Sequence, residues 1–149
     1  MTIYEIIAVV ISLLGLGLSI WSIVKARSAH KIAQGQIELN IHQLLTQAKK
    51  DEMEISILIA EKCSNDSSEM KTIIFSALNT AIERTLNAYE EACAKYLDGK
   101  VDKERFKKNY HIEIRQLVES ENHKKYFDST TSAYKAILKV YEAWNDLEN

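Results

Sequence analysis

Four histidines, two cysteines and several adjacent carboxylates are the side chains whose types could carry out proton transfer, nucleophilic attack or metal binding. Their spacing argues against each. His30, His42, His111 and His123 are too far apart in sequence to argue one metal site, and each reads as a surface or boundary residue. Cys63 and Cys93 lack the close pairing of a zinc site. In a reducing compartment both read as buried helix residues. Glu90 with Glu91, and Glu52 with Glu54, are the kind of pairs that acid–base chemistry uses. Neighbouring carboxylates on a helix stay solvated, however, unless another element opposes them across a cleft. A Gly-rich phosphate loop, an HExxH helix, a nucleophile elbow and a CxxC pair are all absent from the sequence. No catalytic, cofactor-binding or metal-ligating residue is therefore assigned, and no cofactor is expected.

One further spacing bears on chemistry. In Arg105-Phe106-Lys107-Lys108-Asn109-Tyr110-His111, an Arg and a His are separated by five residues. This resembles the Arg-x(4–6)-His signature of HEPN-type ribonucleases, a family that is also all-helical. The resemblance implies that Arg105 and His111 would act on a scissile phosphate at a helix end, usually across a dimer. Phe106 departs from the pattern, because the family usually has a polar residue there, and the motif precedes the final long helix. The favoured reading is a solvated basic face of Arg105, Lys107 and Lys108, with Phe106 and Tyr110 in a core.

The elements that must position these residues fall into two parts. Ile6 to Val24 is a 19-residue run without a charged side chain. At about 1.5 Å rise per residue it is long enough for a hydrocarbon core of roughly 30 Å, which predicts one transmembrane helix. The only charged side chain before it is Glu5, so the basic leader of a cleavable signal peptide is missing. Lys25, Arg27 and Lys31 follow the run, and no Lys or Arg precedes it. The positive-inside rule then puts the N-terminus outside and the rest in the cytoplasm. Trp21 and Tyr4 suit the two interfaces. Ala8, Ser12, Gly15, Ser19 and Ser22 recur every three or four residues, and the stripe continues through Ala26, Ala29 and Ala33. Small residues at this spacing let two helices approach closely, so the stripe is the expected contact with a second copy or another membrane protein.

All 19 Lys and Arg lie after the run, against 20 of the 21 acidic residues, so the remainder is almost neutral. That balance makes nucleic acid an unlikely partner. With no Pro and only four Gly, long helices are permitted throughout. Apolar residues from Ile32 to Ile59 return every three or four positions, with Gly35 as a swivel point and Lys49-Lys50-Asp51-Glu52 as a candidate break. A turn at Ser64–Ser68 and an Asp66/Glu69 capping box precede a second helix to Leu97. Its face is Met70, Ile73, Ile74, Ala77, Ala81, Ile82, Tyr89, Ala92, Cys93, Tyr96 and Leu97. Asp98-Gly99-Lys100 closes it, with Gly99 in a left-handed conformation. Asp102 caps a third helix, whose inward residues are Phe106, Tyr110, Ile114, Leu117 and Val118. A last helical region, broken near Ser129, carries Tyr126, Phe127, Tyr134, Ile137, Leu138, Tyr141, Trp144 and Leu147.

The fold class expected is all-α: a single N-terminal transmembrane helix followed by a cytosolic helical hairpin, coiled in part, or a bundle of about four helices. The domains are 1–28, anchor and basic flank, and 29–149, the cytosolic helical domain.

Residues 86 to 147 carry a second resemblance. LNAYEEACAKYLDGKVDKERFKKNYHIEIRQLVE, a Tyr-Phe pair and AYKAILKVYEAW resemble a group of small uncharacterised bacterial proteins that join a membrane helix to a helical cytosolic domain. The resemblance implies a bacterial inner membrane. It marks Asn109, Tyr110, Glu113 and Trp144 as structural residues or as a partner-binding surface.

The leading expectation is a single-pass, non-enzymatic interaction or regulatory protein of the bacterial inner membrane. Its partners are the lipid bilayer, a membrane protein or second copy through the span, and a cytosolic protein. The alternative is a stress or phage-defence effector or sensor acting through membrane assembly. A HEPN-like ribonuclease is the least favoured.

Overall fold

The computed structural model describes the backbone at residues 2–62, 68–128 and 130–145, and the side chains there except at 5–10, 62 and 68. The chain is all-helical, as expected. Its elements are α1 (Ile3–Lys62), α2 (Ser68–Leu97), α3 (Lys103–Glu119), a 3-10 turn at Lys124–Tyr126 and α4 (Lys135–Asn145). They form two compact units, Met1–Gln36 and Ile37–Asn149. The expected turn with Asp66, the side chain of Cys63, and Leu147 lie outside the described residues.

The first unit is helical from Ile3 onward, because nothing in it breaks a helix. Ile11, Leu13, Leu14, Leu16, Leu18, Ile20, Trp21, Ile23 and Val24 are each more than half exposed, on every side of the helix. Among the described residues no helix is long and apolar enough to cross a membrane. The side chains of Ile6–Val10 are outside those residues, and the part from Ile11 to Val24 rises about 21 Å, short of a hydrocarbon core of roughly 30 Å.

In the second unit, α1 and α2 run antiparallel. Glu38 accepts a bond from the backbone N–H of Asp102, just beyond the end of α2, whereas Glu52, farther along α1, accepts from Thr85 Oγ1. The predicted break at Lys49–Glu52 does not occur. Gln47 donates to Asp51 at 2.7 Å and Lys50 pairs with Glu54, bonds one turn apart that favour continued helix. Gly35 likewise lies inside α1.

Asp98-Gly99-Lys100 closes α2 as the sequence predicts. Gly99 has φ +69°, and the Lys100 N–H returns to the Lys95 carbonyl at 3.0 Å. A side chain other than Gly is disfavoured at this φ. Asp102 then caps α3 by accepting from the Arg105 N–H at 3.0 Å. Val101 and Phe106 flank the cap, both 2% exposed, at the positions of a hydrophobic staple.

After α3, Tyr126 and Phe127 belong to the 3-10 turn and its end rather than to a long final helix. Local side-chain bonds compete with helix there. The Asp128 carboxylate accepts from the N–H groups of Thr130 and Thr131 and from the Thr131 hydroxyl, and Ser132 Oγ donates to the Tyr126 carbonyl.

The core joins Ile41, Leu45 and Ala48 of α1 to Leu86, Tyr89, Ala92 and Cys93 of α2. Ile114 and Leu117 of α3 and Ile137, Val140 and Trp144 of α4 complete it. Ile32, Leu58, Met70, Ile73, Ala77 and Leu97 are exposed instead of inward.

Candidate functional site

On α3, Asn109, Tyr110 and Glu113 sit at i, i+1 and i+4 and so share one side of the helix. On α1, His42, Thr46 and Lys49 follow at i, i+4 and i+7. These residues, with Leu45, line a cleft of about 350 Å³ between the two helices. Three of the four residues expected at a partner surface thus come together.

Trp144 does not join them. It is 3% exposed, its Nε1 donates to Tyr96 Oη at 3.0 Å, and its ring meets Tyr96 edge-on at 5.4 Å. Its place is the core, where the apolar stripe of α4 directs it.

Glu113 is the electrostatic centre of the cleft. Its Oε2 accepts from Tyr89 Oη at 2.6 Å and pairs with Lys49 Nζ at 2.8 Å. Burial pushes this carboxyl up, but the hydrogen bonds from Lys49 and Tyr89 and the charges of Lys49 and His42 outweigh it, leaving its pKa below the ordinary glutamate value. Tyr89 moves the other way: burial, then its bond to Glu113, raises the phenol far above its usual range. Burial and the Glu113 charge also raise Tyr110. The cleft therefore holds a fixed carboxylate and the neutral phenol of Tyr110, with the buried phenol of Tyr89 behind the carboxylate. Such a set offers acceptor and aromatic contacts to donors and positive charge.

Arg105 and His111 are not brought together. Arg105 Nε lies 2.7 Å from Glu38 Oε2 and its Nη2 is 3.0 Å from Oε1, a two-pronged pair that raises the guanidinium pKa further. His111 packs edge-on against Trp144 with centroids 5.6 Å apart. Six residues advance a helix by about 600°, which leaves the two on different sides of α3.

The carboxylate pairs separate as well. Glu91 pairs with Lys95 in solvent, and Glu54 with Lys50. Glu90 is not a solvated residue: it accepts from the N–H groups of Ala136 and Ile137 at the start of α4. Cys93 is fully buried, and burial followed by the Glu90 charge pushes its thiol far above the usual value. Among the described residues no three His, Cys, Asp or Glu come together as metal ligands.

On the first unit, Ser12, Gly15, Ser19 and Ser22 are exposed, and the side chain of Ala8 is outside the described residues. Ser19 Oγ donates to the Gly15 carbonyl at 2.8 Å. A Cβ added at Gly15 or Gly17 meets nothing within 4 Å.

His42, Thr46, Lys49 and Tyr89 are site residues that the sequence reading did not select. The first three lie one position after Ile41, Leu45 and Ala48 of the buried stripe, so they border the core. That offset was the available signal. No protein-family model matches the chain, and no curated protein and no solved structure shows significant similarity to it.

Proposed function

We propose that this chain is a single-pass, membrane-anchored and non-enzymatic helical interaction protein of the bacterial inner membrane. Its second unit faces the cytoplasm and holds a protein partner at the α1/α3 cleft. The observation that carries the reading is the continuous exposure of Ile11 through Val24, with large apolar side chains on all sides of the helix. A helix apolar all round needs either a protein interior or lipid around it. With Ile6–Val10 the run reaches the length of a span, and Lys25, Arg27 and Lys31 on one flank orient it. The small-residue stripe supports packing against a second copy.

The cleft supports a binding role for the second unit, because its ionised Glu113 and neutral Tyr110 offer acceptor and aromatic contacts. The ribonuclease reading gains no support from Arg105 and His111, which are engaged with Glu38 and Trp144.

Alkaline carbonate extraction of membranes from cells expressing the full chain tests the anchor. A reporter that is active only in the periplasm, fused after Asn149, tests the orientation. Retention in the pellet with an inactive reporter is expected; release by carbonate, or high reporter activity, overturns the corresponding part.

A further inference from the structure

We propose that the side of α1 carrying Arg27, His30 and Lys31 binds the phosphate headgroup of an anionic phospholipid, an inference that rests on the membrane-anchored reading. Ile23, Ala26, Arg27, His30, Lys31 and Gln34 line an open groove of about 500 Å³. Spacings of three and four place them on one side of the helix. Ile23 and Ala26 occupy one end and the basic groups follow, Ile23 to Lys31 covering a rise of about 12 Å. A phospholipid presents its parts in the same order: acyl chain, glycerol, phosphate.

Charge complementarity selects an anionic headgroup. No Asp or Glu lies anywhere between Ile6 and Ile37, so Arg27 and Lys31 have no acidic residue within a helical turn to neutralise them. Arg27 offers a planar fork that matches two phosphate oxygens, and Lys31, one turn on, adds a point charge. Lys25 plays a different part. Its Nζ lies over the Trp21 ring, 5.6 Å from the centroid, on another side of the helix. The groove thus divides the basic flank into a lipid-binding pair and an aromatic-bound lysine.

The test uses the full chain in phosphatidylcholine vesicles carrying trace spin-labelled phosphatidylglycerol or spin-labelled phosphatidylcholine. Electron paramagnetic resonance reads the motionally restricted fraction of each probe. At low salt the wild type should favour phosphatidylglycerol, with about fivefold contributed by each basic residue. The Arg27→Gln/Lys31→Gln variant should lose most of that preference, and Lys25→Gln should keep it. Stable insertion is read separately, by flotation after a carbonate wash. A wild type that fails to insert overturns the anchor and this inference together. Stable insertion with no headgroup preference, or with a preference that survives Arg27→Gln/Lys31→Gln, overturns this inference alone. Inorganic phosphate added in excess should not displace the labelled lipid; displacement would assign the groove to a soluble anion and overturn the lipid assignment.

Discussion

Glu90 on α2 caps α4: its Oε2 accepts from the backbone N–H of Ile137 at 3.0 Å, and its Oε1 accepts from Ala136 at 2.8 Å. The first N–H groups of a helix have no partner within it, and negative charge there also meets the positive end of the helix dipole. Here the acceptor comes from another helix. One carboxylate thereby docks α4 and sets its first turn.

Glu90→Ala should therefore destabilise the second unit by about 1–2 kcal/mol, the range for loss of a cap. Glu90→Gln retains an amide oxygen and should cost less. Thermal melts followed by circular dichroism at 222 nm decide this. A melting temperature unchanged in Glu90→Ala would refute the docking role.

Trp144→Ala should cost about 3–5 kcal/mol, as expected for a large aromatic removed from a core. Tyr96→Phe removes only the acceptor for Trp144 Nε1 and should cost about 1 kcal/mol. Denaturant titration measures both. An unchanged midpoint for Trp144→Ala would return this residue to the surface.

The Glu113 network predicts a sign for acid sensitivity. The folded-state pKa of Glu113 lies below its unfolded value, so its stabilising contribution is complete above the ordinary glutamate value of 4.5 and is lost as pH falls through the lower folded value. The stability gap between wild type and Glu113→Gln should thus be widest near neutrality and close in acid. Chemical denaturation at a series of pH values checks this; a gap that widens in acid would contradict it.

In the first unit, Gly15→Ile should weaken the proposed self-association, whereas Gly17→Ile, off the small-residue stripe, should do so less. A Cβ added at either position meets nothing within 4 Å, so a difference between the two variants points to a second helix. Because Ser19 already bonds the Gly15 carbonyl, close packing should contribute more than serine bonds across the interface. Energy transfer between labelled full-length chains in vesicles reads the effect. Equal loss in both variants would reject this face.

Local rules were enough to read the helices and two of their ends. Gly99 needs a left-handed φ, and Asp102 needs only the N–H three residues on, so both were legible without tertiary information. Val101 was legible in principle, as the staple partner of Phe106. Glu90 was not. It and Glu91 are the same residue type in adjacent positions, and only the arrival of α4 makes one a cap while the other pairs with Lys95. The exposed Met70 and Ile73 show the converse, since periodicity marks a face but does not say whether a neighbour covers it. The cleft had the same difficulty: Asn109, Tyr110 and Glu113 were marked by resemblance, and the offset of His42 and Lys49 from the buried stripe places them beside the core without saying that α3 faces them.

The full burial of Cys93 makes it a clock for breathing of the second unit. With Cys63 changed to Ser, an alkylating reagent would reach thiol only when α2 separates from its neighbours. The rate of modification would then report the frequency of that opening, or its equilibrium population if closing outpaces the reagent. A partner seated in the α1/α3 cleft would slow the clock without touching the sulfur, giving an assay for binding before the partner's identity is known.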